Sequence, residues 1–271
     1  MRIVKKAKIW FGVLFGLFLL LNIPPLAVTL YYSLIADPFS MRFSGLVNYV
    51  EMIGNKYFVQ AAGNTALFTC AFVPLLLVIS LLLAMHFSGR NTAGTVLISA
   101  FILPAFLPAP SVTDVFRILY GSDILSQVSP DLLEWISTGH IYLWKNMGLL
   151  IILLLAALRA IPMSLYEAAS LDGAGKFAQW RYITLPGILP TLIFTSMLAA
   201  VQAFRIFREA YLLYGAYPGD MMYMLQHYIN NHFYKFNYQK IAPVSVVVLL
   251  VSCTATTVLF SIQRKWTDVE L

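Results

Sequence analysis

Residues 166–186 read YEAASLDGAGKFAQWRYITLP and hold Glu167, Asp172, Lys176 and Arg181, in a chain of which only 11% is charged. Arg159 stands just before them. On either side lie long apolar runs, residues 141–158 and 186–211. A polar island between two such runs is a connector, and the runs decide what it connects.

Working outward, four more apolar runs appear, at 9–31, 61–87, 95–119 and 242–262. At about 1.5 Å of rise per helical residue, each is long enough to cross a hydrocarbon layer of roughly 30 Å. The chain is 60% hydrophobic, and its mean hydropathy of +0.77 lies well above that of a soluble domain. These readings predict an all-α membrane protein of six transmembrane helices, a single transmembrane domain over residues 1–271.

Arg2, Lys5, Lys6 and Lys8 precede the first run in the manner of a signal peptide. That run is too long, lacks a small-residue cleavage site, and leads into a chain that keeps crossing, so it is expected to stay as an anchor. With the N-terminus inside, the inner segments hold ten Lys and Arg against four acids, net +6, and the outer segments eight against eight. The excess of bases predicts that both termini and residues 166–185 are cytoplasmic. The formal charge of +6 is thus a topology signal and no nucleic-acid footprint. Cys70 and Cys253 fall within two different runs, read as small apolar filler, and receive no role.

GRNTAGTV, from Gly89, imitates a phosphate loop but lacks the Lys before its Thr and follows no strand. No metal-binding or nucleophile motif is present, and His86, His140, His227 and His232 sit at run ends or in the last external loop as ordinary polar residues. We therefore expect no catalytic residue, no metal and no cofactor. An energy source must come from a partner or an ion gradient.

Within the opening segment, Pro162 halts the fourth run, 164–169 favours a short helix, Asp172-Gly173 supplies a turn, and 176–182 resumes as a second short helix. Pro186 suits the first turn of the fifth span, where its missing N–H costs nothing. Ala168, Ala169, Gly173, Ala174 and Gly175 leave a surface almost without bulk beside Glu167 and Asp172. Such a surface admits close approach by another protein, or else the segment lies on lipid headgroups as an amphipathic helix.

Glu167-Ala168-Ala169, then Gly173, then Ile183 after nine residues, then Leu185-Pro186, resembles the EAA loop of ABC importer permeases at every fixed position. The likeness extends over almost the whole chain. It is nearest to the maltose and glycerol-phosphate type of carbohydrate permease, through FSGLVNYVEMI (43–53), GNT (63–65), 201–204 and 215–218. The resemblance implies the type I importer permease fold in a prokaryotic cytoplasmic membrane, and one half of a paired channel. It implies as partners a second permease subunit, two ATPase subunits that bind the ATP, an external substrate-binding protein and a carbohydrate. It also implies that loop 162–186 is the coupling helix, with Glu167 in the charge contact, Gly173 at the turn, and Ala168, Ala169, Asp172, Leu185 and Pro186 as its other coupling positions.

Polar side chains on a span are costly and should face a cavity or a neighbour. Thr195, Gln202 and Glu209 recur every seven residues with Arg205 between, forming a stripe. Arg205 and Glu209, four apart, either pair with each other or meet substrate. Tyr142, Trp144 and Asn146 open the fourth run as belt residues or, since the resemblance places a sugar-contacting Trp at Trp144, as substrate contacts. Where maltose permeases carry polar residues on the fifth span, this chain has Ala199, Ala203 and Ile206, which argues against maltose itself. Pro104, Pro108 and Pro110 must kink the third run, and Gly12 and Gly16 form a small-residue face. Glycerol phosphate or another polyol is the alternative cargo. A secondary transporter would need charged coupling pairs deep in several spans and internal repeats, and an embedded enzyme would need facing catalytic groups at one depth.

Overall fold

The computed structural model describes residues 2–36, 41–88, 100–120 and 128–267. The segment from Gly89 and the start of the third run lie outside these. The described residues form α1 (Arg2–Ser33), α2 (Val47–Gly54), α3 (Lys56–His86), α4 (Ala100–Phe106), α5 (Ala109–Tyr120), α6 (Pro130–Ala160), α7 (Met163–Leu171), α8 (Lys176–Gln179), a π-helical turn (Trp180–Thr184), α9 (Leu185–Arg205), α10 (Phe207–Tyr214), α11 (Leu225–Phe233) and α12 (Tyr238–Thr267).

Among the described residues, five helical stretches are long and apolar enough to cross a membrane: Trp10–Ser33, Lys56–His86, Pro130–Ala160, Lys176–Tyr214 and Tyr238–Arg264. The pair α4 and α5 makes a sixth if taken as one broken span, bent by 111°. The bend falls at Leu107-Pro108, where the proline ring cannot follow a helix and removes a donor. Two boundaries depart furthest from the sequence expectation. The fourth span begins at Pro130, because the amphipathic turns before residue 141 continue the helix, and the fifth is entered helically from Lys176.

The elements form two compact units, Met1–Val59 with Ile229–Cys253, and Gln60–Tyr228 with Thr254–Leu271. In the first unit a polar knot closes the end of α1. The Asn48 amide donates to the Ser33 and Ile35 carbonyls at 3.0 and 2.8 Å, and the Tyr49 hydroxyl to Ser33 Oγ at 2.8 Å. The FSGLVNY stretch thereby satisfies carbonyls that the helix end leaves open. None of the most apolar windows of α1 and α12 is buried within the chain. Trp10 (66%) and Phe11 (70%) stand out on α1, a surface that water does not tolerate and lipid or a partner helix does. Gly12 and Gly16 face open space there. Cys70 and Cys253, expected as filler, are both exposed, on the outer faces of α3 and α12.

The core of the second unit joins Phe68, Phe72 and Leu76 of α3, Phe116 of α5, Tyr142 and Leu150 of α6, and Ala199 and Ala203 of α9. Small residues on α6 permit close approach. A Cβ at Gly148 would lie 2.1 Å from the Phe101 carbonyl oxygen, and one at Gly139 1.9 Å from the Phe72 ring. The turn after α10 is fastened from two sides. Asn64 donates to the carbonyls of Asp220 and Tyr223 at 2.6 and 3.0 Å, and Thr65 Oγ1 accepts the Leu225 N–H at 2.9 Å. Glu134 accepts the Gly219 N–H at 2.7 Å. His227, read from sequence as an ordinary loop polar, is fully buried here, and its Nδ1 accepts the Met224 N–H at 3.2 Å. Burial pushes its pKa down to about 4, so the ring is neutral.

Gly148→Ala is expected to destabilise the protein by at least the roughly 1–3 kcal/mol typical of overpacking, because the obstacle is α4 backbone and not a side-chain tip. Gly63→Ala, which meets nothing within 4 Å, should be neutral or stabilising. Thermal unfolding of the purified complex compares the two, and equal midpoints would show that α4 does not pass over Gly148.

Candidate functional site: a helical bracket and the polar face of the spans

The bracket begins with α7, which has no buried residue. At its end the Ala174 N–H bonds the Ala169 carbonyl at 2.8 Å and the Gly173 N–H that of Ser170 at 3.1 Å. These are the six-to-one and five-to-two bonds of a Schellman closure, which needs a left-handed residue between them; Gly173 has φ +80°. The spacing from Ala169 to Gly173 is therefore the geometry of a helix end. Gln179 then reaches back to Ser170 Oγ (2.8 Å) and the Ala174 carbonyl (3.1 Å), and the Tyr166 hydroxyl meets Thr184 Oγ1 at 2.9 Å.

Pro186 falls in the first turn of α9, as its sequence position predicts. The chain enters α9 through the π turn, in which the Leu185 N–H bonds the Trp180 carbonyl five residues back. The wider turn gives room where the proline ring would collide with the carbonyl four residues back. Glu167, Ala168, Asp172 and Gly173 are exposed, while Ala169, Leu185 and Pro186 are half-buried. Among the described residues Glu167 has no hydrogen-bonding partner. Beside it stand Met163 (71% exposed) and Leu171 (90%), apolar side chains whose outward aim the sequence reading missed. The signal was present: in a nine-residue helix with no apolar stripe, some large side chains must face out.

The substrate-path candidates separate. Tyr142 is fully buried and its hydroxyl donates to the Ala199 carbonyl at 2.8 Å, tying α6 to α9. Thr195 is also fully buried, with its hydroxyl turned back to the carbonyls of Thr191 and Leu192 at 2.9 and 3.0 Å. Both side chains are enclosed by packing here. Trp144 is half-buried, 5.7 Å from the Phe116 ring, in a cluster with Tyr120 and His140, whose polar atoms are 3.0 Å apart. Asn146 donates to the Tyr142 carbonyl of its own helix at 2.8 Å. Gln202 is half-buried and Arg205 exposed at the end of α9. No hydrogen bond among the described residues joins Gln202 or Arg205 to Tyr142, Trp144 or Asn146.

The outer end of the stripe has a one-residue joint within the same helical stretch. The chain leaves α9 at Arg205 and resumes as α10 at Phe207, so Glu209 lies beyond a joint at Ile206. Arg205 and Glu209 do not pair. Glu209 accepts instead from Lys145 of α6 at 2.5 Å, with side chains 6% and 17% exposed. Sequence reading passed over Lys145 because it sits among belt residues. Its place one turn after Ile141, on a face that meets another helix, was the available clue.

Described residues that are nearly all helical, with five or six spans and a helical bracket between the fourth and fifth, make the architecture of an importer permease subunit. The chain belongs to the family of binding-protein-dependent transport system inner membrane components, which matches residues 6–267. It is a multi-pass membrane permease subunit and not an enzyme. It is 27% identical to the sulfoquinovosyl glycerol transport system permease protein SmoG of Agrobacterium fabrum, over 93% of this chain and 87% of that protein. To the trehalose/maltose transport system permease protein MalF of Thermococcus litoralis it is also 27% identical, over 82% and 80%. Its fold matches a chain in the crystal structure of a bacterial ABC transporter that imports the acidic polysaccharide alginate, with a TM-score of 0.75, 20% identity, and coverage of 97% and 98%.

Glu209→Ala leaves the Lys145 ammonium largely buried without its counter-charge and should cost about 3–5 kcal/mol. Lys145→Met combined with Glu209→Leu should recover most of that loss. Chemical or thermal unfolding in detergent measures both, and a single variant within about 0.5 kcal/mol of the parent would mean that the pair is solvated.

Proposed function

We propose that this chain is one of two permease subunits of an ABC importer for a sugar or short oligosaccharide, fed by an external binding protein and driven by two ATPase subunits. The observation that carries the reading is the bracket: a helix with no buried residue, closed at Gly173, holding Glu167 and Leu171 toward a partner. Relatives named for sulfoquinovosyl glycerol, trehalose/maltose and arabinooligosaccharides support a carbohydrate cargo. Residues 1–271 act as one permease domain with both termini and residues 162–186 cytoplasmic, an orientation supported by the net +6 of the inner segments. The unburied faces of α1 and α12 suit lipid and the second permease. Trp144, Asn146, Gln202 and Arg205 remain as this subunit's path residues, and Tyr142 and Thr195 hold the helices that carry them.

Coupling is tested by Glu167→Lys and, separately, Leu171→Asp in the reconstituted complex. Charge reversal should weaken the ATPase contact by on the order of 2–5 kcal/mol, and either change should lower pull-down of the ATPase or abolish stimulation by loaded binding protein. Normal pull-down with normal stimulation in both variants would remove the bracket from coupling.

Transport is tested by Trp144→Ala and Gln202→Leu, which should reduce uptake with assembly intact. Tyr142→Phe should cost about 0.5–1.5 kcal/mol of stability and leave uptake per assembled complex unchanged. Unchanged uptake in the first two variants would move the path elsewhere.

A further inference from the structure

Residues 230–240, NNHFYKFNYQK, join α11 to α12 and interleave aromatic rings with bases. Phe233, Tyr234 and Phe236 are 55%, 69% and 73% exposed, and Lys235 and Lys240 are exposed beside them. The chain has no Asp or Glu between Asp220 and Asp268, so the fixed charge carried by the turn itself is positive. Burial first, then the charges of Lys240 and Lys235, hold the His232 imidazole below its usual range, so both lysines act on this one ring.

The backbone presents the rings deliberately. Phe236 takes φ +55°, a left-handed conformation uncommon for a residue with a side chain. The turn is held there by Phe236 N–H to the Phe233 carbonyl at 3.0 Å, Asn237 N–H to that of His232 at 3.1 Å, and Tyr238 N–H to that of Phe236 at 3.0 Å. Its depth follows from a neighbour. Tyr238, the first residue of α12, packs on Tyr32 in the last turn of α1, with ring centroids 6.0 Å apart. Two spans whose most apolar windows have no buried residue therefore end at one level. That level is the boundary between hydrocarbon and water, where aromatic side chains are favoured.

We propose that the α11–α12 turn binds an anionic phospholipid headgroup, with Lys235 and Lys240 facing the phosphate and Phe233, Tyr234 and Phe236 seated at the glycerol level. A protein partner would need the turn to stand clear of the bilayer. Its position at the start of a 27-residue apolar span, level with the end of α1, holds it in the headgroup layer instead. The attraction is additive in the bases, about fivefold in affinity for each lysine, which corresponds to about 1 kcal/mol apiece.

The test uses the assembled complex in nanodiscs. Replacing phosphatidylcholine by phosphatidylglycerol should raise the unfolding temperature, and Lys235→Gln and Lys240→Gln should each raise the half-saturating phosphatidylglycerol fraction about fivefold. Lys235→Arg with Lys240→Arg should keep the response. A tryptophan placed by Phe236→Trp should be quenched by lipids brominated near the glycerol and be shielded from iodide in water, a readout that needs no charge variant. Equal response to both lipids, an unchanged response in the paired glutamine variant, or quenching by iodide alone would overturn the proposal. Shielding that appears only when loaded binding protein is added would assign the turn to a protein partner.

Discussion

Between two helices in hydrocarbon, an apolar side chain gains little by leaving lipid for protein, so the contacts that hold α6 must be close or polar. At about 100° per residue its neighbours divide its circumference. Gly139 admits the Phe72 ring of α3, His140 meets Tyr120 of α5, Tyr142 bonds the Ala199 carbonyl of α9, Lys145 pairs with Glu209 of α10, and Gly148 lies under the Phe101 backbone of α4. Five directions are thus served by ten residues, using two glycines, two hydrogen bonds and one ion pair. The other helices of this unit take their places from that column.

The bracket depends on a different constraint, the unsatisfied carbonyls of a helix end. Ala169 and Ser170 supply them, Gly173 turns the chain so that its own N–H and that of Ala174 can answer, and Gln179 closes the turn from α8. Tyr166 and Thr184 then tie α7 to the π turn that leads into α9. A displacement of α7 is accordingly passed to α9 through bonded contacts and an unbroken helix. On the proposed function, this is the route by which the movement of an ATPase reaches the membrane.

The bracket was legible because its spacing is written by local backbone geometry, and the spans because hydrocarbon thickness imposes a length. The polar stripe was misread at its outer end. Spacing offered Arg205, four residues away, as a partner of Glu209, and could not show that Lys145 of α6 stands closer. Thr195 illustrates a second limit: a hydroxyl that bonds its own helix at i−3 and i−4 can be buried without facing any cavity. Lys145 and Gly148 escaped because a helix with neighbours on every side has no single apolar face for a pattern to reveal. The GNT stretch was noticed as likeness, and its physical reason appears only in three dimensions, where Asn64 and Thr65 bond a turn about 160 residues away.

Much of the polar chemistry at the ends of these spans is spent on fastening. Arg117 of α5 donates to the Leu212 carbonyl of α10, the Ser137 and Tyr214 hydroxyls hydrogen-bond each other, and Glu134, Gln60 and Asn64 hold the turn from Gly219 to Tyr223. Below the joint, α9 turns Ala199 and Ala203 toward the core and uses Thr195 on itself. On the proposed function, this subunit offers a hydroxyl-rich cargo Trp144 as a ring to stack on, with Asn146, Gln202 and Arg205 as polar contacts. A sugar needs more partners than that, because each hydroxyl left dry and unbonded costs about 1–3 kcal/mol. On the proposed function the second permease must therefore line most of the path, and this subunit contributes chiefly the column and the bracket that move it.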